Sequence, residues 1–174
     1  MDESVEFGSG AYDVFLSLLV LARGSDFFST WLATPNLVLE ANPIAKKLGW
    51  KWGISLNMVV CLALASWPLP TIVIATTSML VAGRNFQSAW LMRSFGEERY
   101  RLWMDERLAQ TNRGIYVLCI LLQSLLNAAI GAALILFSRW HLVPLGIGVG
   151  MVTYAIAVPF YTFLGVWRFF RRIR

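Results

Sequence analysis

Asp26 stands inside an apolar run, with Arg23 three residues before it and Thr30 four after, spacings that place all three on one face of a helix with Ser29 beside them. A charge at the centre of a bilayer costs about 3 kcal/mol on insertion scales, so each needs a partner or a purpose. Arg23 can neutralise Asp26, and the two hydroxyls can bond back to their own helix or hold a neighbouring one. Asp26 has a second candidate counter-ion in Arg84, which is followed by Asn85 and Gln87. Glu40 is a further carboxylate in an otherwise apolar stretch, placed to meet headgroup water or Lys47. Asn42-Pro43 reads as a helix start, with Asn as the N-cap and Pro at the first helical position. Arg23, Asp26, Thr30, Glu40, Asn42, Arg84 and Asn85 therefore make up a candidate polar binding site. If they converge, two carboxylates there can carry protons or hold a cation, for transport or for lipid chemistry.

The elements that must carry these residues are hydrophobic helices. The chain is 57% hydrophobic and 14% charged, with mean hydropathy +0.61 over 174 residues, outside the range of a soluble domain. Apolar windows approaching the ~20 residues needed to span hydrocarbon predict helices over residues 11–34, 52–67, 71–91, 114–138 and 143–167. The expected fold is an all-α polytopic transmembrane helix bundle of about five spans, forming a single domain. Ser66-Trp67-Pro68-Leu69-Pro70 is either a kink in one long helix or a turn between two, and charge distinguishes them. A turn puts Lys46, Lys47, Lys51, the 93–113 basic cluster and the 168–174 tail on one side and leaves Arg139 on the other, as positive-inside topology requires. The expected orientation is N-terminus out and C-terminus in, in the cell's inner (plasma) membrane. The acidic Met-Asp-Glu-Ser-Val-Glu start lacks the basic region of a cleavable signal, so the first apolar segment is expected to stay in the mature protein. Net charge +5 reflects this topology, and no nucleic-acid partner is expected.

Residues 93–113 are the long polar connection, in which Tyr100, Trp103, Met104 and Leu108 recur opposite Glu97, Glu98, Arg101 and Asp105. This is the pattern of an interfacial amphipathic helix on the cytoplasmic leaflet. Close helix packing is expected from Gln123, Asn127 and Gly131, an i, i+4, i+8 row with Ser124 beside it, and from Gly146-x-x-x-Gly150.

Asp26-x-x-Ser29-Thr30 followed by Glu40-x-Asn42-Pro43 ahead of a second hydrophobic helix resembles a family of small, uncharacterised prokaryotic membrane proteins, a domain of unknown function. The resemblance covers roughly residues 15–65. Members often carry a lysine in the following helix, where this chain has Asn57. It implies a polar site in a polytopic membrane protein and no particular substrate.

His141 is the sole histidine, which excludes two-histidine haem ligation within one chain and multi-histidine iron clusters. Cys61 and Cys119 fall in apolar stretches and read as small hydrophobes. There is no nucleophile elbow, phosphate loop or zinc helix. Glu97-Glu98 lacks the supporting histidines of an intramembrane metalloprotease and reads as a solvated face. No metal is expected and no cofactor is specified, although this many aromatic residues can face a pigment or quinone. The leading expectation is a non-enzymatic accessory or assembly subunit of a larger membrane complex, with the lipid bilayer and other membrane subunits as partners.

Overall fold

The computed structural model describes residues 4–173, apart from the side chains of Arg113 and residues 168–173. The basic tail of Arg168, Arg171, Arg172 and Arg174 thus lies outside the described side chains. Six helices succeed one another, with no strand among the described residues: α1 (Gly10–Ala33), α2 (Pro43–Leu64), α3 (Pro68–Phe95), α4 (Glu97–Gln110), α5 (Arg113–Phe137) and α6 (Leu142–Ile173).

The helix starts follow local chemistry. Ser9 caps α1 by accepting from the Tyr12 amide, and Asn112 caps α5 by accepting from Gly114. Asn42 caps α2 ahead of Pro43, as its sequence predicts. α2 therefore begins nine residues before the expected 52, and Gly49, at φ 65°, breaks it into a short polar piece and an apolar one. α3 begins at Pro68, where the missing amide hydrogens of Pro68 and Pro70 leave no bond unmade. Gly96, at φ 80°, ends α3 and starts α4, a conformation that L side chains adopt only at a cost.

The break at Trp67 is a chain reversal. Val5 donates to the Ser66 carbonyl and the Tyr12 hydroxyl to that of Leu62, so α1 begins where α2 ends. Asn85 meets Ser29 and Thr30, and Arg23 meets Ser78, so α3 runs parallel to α1. α6 follows the same direction, with Gly146 on Ile72 and Gly150 on Thr76, whereas α5 runs against α6, with Gly131 beside Met151 and Ile135 beside Gly148. One end of the bundle thus gathers the C-termini of α1, α3 and α6, the N-termini of α2 and α5, and all of α4.

α3 holds the two halves together, with the most extensive contacts being α1 on α3, α5 on α6 and α3 on α6. Its buried face toward α1 is a row of small residues, Ala75, Ser78, Ala82 and Ala89, which lets the backbones approach. In α6, a methyl group added at Gly150 would sit 2.7 Å from Thr76 Cβ and one at Gly146 would sit 2.7 Å from Ile72 Cγ2. Gly131 and Gly148 meet backbone to backbone, each within 2.7 Å of where the other's carbonyl blocks a side chain. Gly131, Gly146 and Gly150 thus form close helix contacts as their spacing predicts. Gln123 is exposed and takes no part in them, and Asn127 bonds back to the Gln123 carbonyl at 2.9 Å.

Two helices are long and apolar enough to cross a membrane, Gly114–Phe137 and Leu142–Trp167. The expected five reduce to two by this measure for a physical reason. α1 carries Asp13, Arg23 and Asp26, α2 has Lys46, Lys47 and Lys51 in its first half, and α3 includes Arg84, Asn85 and Gln87. α4 keeps Tyr100 buried with Trp103, Met104 and Leu108 partly covered, the face that the sequence pattern predicts.

Candidate functional site

The polar residues of the first three helices meet in two places. The first lies between α1, α2 and α3. Arg23 Nη1 donates to Asp26 Oδ2 at 2.9 Å and to Ser78 Oγ at 3.1 Å, while Nε donates to Asn57 Oδ1 at 2.8 Å and Nη2 reaches the same oxygen. Asn57 is itself held by donation to the Gly53 carbonyl at 2.8 Å. The guanidinium also lies 5.7 Å from the Phe27 ring centre. One side chain of α1 is thereby tied to both neighbouring helices, and Asp26 is neutralised from its own helix one turn away.

A turn further along, Asn85 of α3 donates to Ser29 Oγ at 3.3 Å and Thr30 Oγ1 at 3.2 Å, and Ser29 returns its proton to the Asp26 carbonyl at 2.9 Å. No buried side-chain nitrogen or oxygen among the described residues lacks a hydrogen-bond partner. Such a network orders three helices, because breaking a link leaves a polar group unmatched in a partly or fully buried place.

Arg84 is not part of it. Neighbouring positions on a helix point about 100° apart, so the rotation that brings Asn85 onto α1 turns Arg84 away from it. Arg84 forms no ion pair among the described residues. The counter-ion of Asp26 is Arg23. Glu40 also has a local task, since its Oε1 accepts from the Asn42 amide at 2.7 Å, and Lys46 rather than Lys47 reaches the loop, at the Val38 carbonyl.

The second place is at the shared end of the helices, where Glu97 clasps the α1–α2 loop. Its carboxylate accepts from Thr34 Oγ1 at 2.8 Å, the Asn36 amide at 2.8 Å, Asn36 Nδ2 at 3.0 Å and the Val38 amide at 3.0 Å. This corrects the reading of Glu97-Glu98 as a solvated face. Only Glu98 fits it, paired at the surface with Arg101. Removal from water opposes ionisation of Glu97, but the four donors outweigh it and hold the carboxyl below its ordinary range. Trp50 braces the same loop by donating to the Pro35 carbonyl at 2.8 Å, and Leu37 holds φ 56° within it. Sequence reasoning missed Glu97 because its partners lie about sixty residues upstream and carry no charge.

Beside this clasp is an open depression of about 660 Å³, bordered by Pro35, Asn36, Arg93, Phe95, Glu97 and Arg99. Another, of about 290 Å³, lies at the α5–α6 turn. Neither is lined by Asp26, Glu40 or Arg84. Among the described residues no three His, Cys, Asp or Glu side chains gather where a metal could be held. The arrangement can bind helices to one another. The chain matches no protein-family model, no curated protein and no solved structure to a significant degree.

Proposed function

We propose that the chain is a multi-pass protein of a cell's inner membrane that works through helix contacts, as an accessory or assembly subunit of a larger membrane complex. The observation that carries this reading is α5, whose most apolar window has a mean hydropathy of 2.1 yet is only 17% buried. A core helix of a soluble protein turns such a surface inward, whereas here Leu118, Leu121, Leu122, Leu125 and Leu126 face outward. Lipid and neighbouring helices are the surroundings that suit it.

Five crossings, with the N-terminus out and the C-terminus in, agree with the distribution of charge. The end that holds α4 carries Lys46, Lys47, Lys51, Arg93, Arg99, Arg101 and Arg107, and the opposite end has Arg139. The buried polar side-chain atoms described in α1, α2 and α3 can lie at membrane depth because they are satisfied within the protein. The internal pairing of Arg23 with Asp26 favours this reading over a transport or lipid-chemistry site built on Asp26, Glu40 and Arg84.

The test is purification from the native membrane in mild detergent, with mass identification of the co-purifying chains. Stoichiometric partners are expected, and a protein that travels with no other chain would overturn the subunit reading.

A further inference from the structure

α5 touches α6 through Gly131 and Ile135, and well around the helix from that contact it presents a different row to the outside. Cys119, Gln123, Leu126, Ile130, Ala133 and Phe137 follow one another at alternating steps of four and three and so lie along one side of the helix. All six are exposed, Leu126 at 67%, Ile130 at 56% and Phe137 at 84%. Near the middle of the helix this row contains one polar side chain. The Gln123 amide makes no hydrogen bond among the described residues, in contrast to Asn127, which bonds back to its own helix. A primary amide unmatched in hydrocarbon is costly, and that cost disappears only against another polar group at the same depth.

We propose that this row is the docking surface for a second copy of the chain, α5 against α5, with the two Gln123 amides bonded to each other. The proposal rests on the membrane reading above but not on membership of a larger complex. Copies in one membrane share an orientation, so a twofold axis along the membrane normal sets the two α5 helices parallel and brings each residue opposite its own counterpart. An amide both donates and accepts, so Gln123 is complementary to itself. A different partner would need a polar group of its own at that level. A single amide in an otherwise apolar repeat also fixes register, because sliding by a turn strands both amides in lipid. Ala133 allows close approach, and Cys119, one turn from Gln123, meets its own copy across the axis at a separation a disulfide can bridge.

The test is oxidation of native membranes with copper-phenanthroline, followed by non-reducing electrophoresis. Cys61 is buried in the core against Tyr12 and Leu19, which leaves Cys119 as the reactive thiol. The expected product has twice the 19.6 kDa chain mass and is lost in Cys119→Ser. In that background, Leu126→Cys restores it. Leu125→Cys does not, although Leu125, at 62%, is nearly as exposed and points away from the row. Gln123→Leu lowers the cross-linking rate about fivefold, the effect of one interhelical hydrogen bond in a membrane. Equal cross-linking from positions 125 and 126 would overturn the proposal as random collision. Cross-linking of Cys119 to a different protein would overturn the second copy while supporting the subunit reading. A cross-linked pair that purifies with no other chain would do the reverse. An uncross-linked single chain, counted by photobleaching in bilayer nanodiscs, would overturn both.

Discussion

The two halves of the bundle hold together by opposite means. Between α1, α2 and α3, close backbones are supplemented by a partly buried network in which Arg23 alone reaches Asp26, Asn57 and Ser78. Between α5 and α6, Gly131 and Gly148 bring the backbones together and their close approach replaces directed bonds. A polar interior specifies which neighbour belongs where, since a misplaced partner leaves a group unmatched, whereas a glycine seam rewards closeness and tolerates little added volume. The first half is expected to fail when charge is unbalanced and the second when volume is added.

The largest effect should come from unbalancing the charge. Arg23→Met strands Asp26 and is expected to cost about 3–5 kcal/mol, read as a lowered resistance to SDS unfolding in detergent. Adding Asp26→Leu should recover most of that loss, because an apolar pair of similar size replaces the ion pair. A double variant as weak as the single one would mean that Arg23 acts mainly through Asn57 and Ser78. Next comes volume. Gly131→Val drives a branched side chain against the Gly148 carbonyl and should cost about 1–3 kcal/mol in the same assay. Gly83, which has nothing within 4 Å of an added methyl group, is the control, and Gly83→Ala should be neutral or stabilising by up to about 1 kcal/mol. If the two glycines respond alike, the seam is not what joins α5 to α6.

Both halves met the expectations of local pattern where local pattern was enough. The i, i+3 spacing of Arg23 and Asp26 allowed their bond but left Arg84 as an equal candidate, Asn42-Pro43 foretold the start of α2, and Gly146-x-x-x-Gly150 allowed a close approach. What sequence could not convey was the rotation of one helix against another. Asn85 and Arg84 are equally polar neighbours, yet only Asn85 faces α1. Asn57 became the main acceptor for Arg23 by the same unseen geometry. Glu97 was misread because a carboxylate beside another carboxylate in a polar stretch has no local sign of distant uncharged donors.

The smallest expected effect lies at that carboxylate, outside both halves. Glu97→Gln should lower the midpoint of thermal unfolding by a few degrees at neutral pH, as an amide can accept fewer of the four donated bonds. The ionised carboxyl is favoured in the folded protein, so its contribution is complete above the ordinary glutamate range and is lost as pH falls through its lowered value. The difference between parent and variant should therefore be constant from about pH 8 to 5 and shrink below about pH 4. A difference that grows on acidification would show that Glu97 is protonated in the clasp.

The clasp also has a consequence in time. Thr34 and Asn36 emerge from the ribosome some sixty residues before Glu97, so while α2 and α3 are being made the α1–α2 loop lacks the acceptor that anchors it. Until Glu97 arrives, the segment from Pro35 to Asn42 has only its local bonds and the Trp50 brace to hold it. Emergence of the start of α4 then supplies the missing acceptor, and a released fragment ending at residue 95 should be cut within that loop faster than one ending at residue 110.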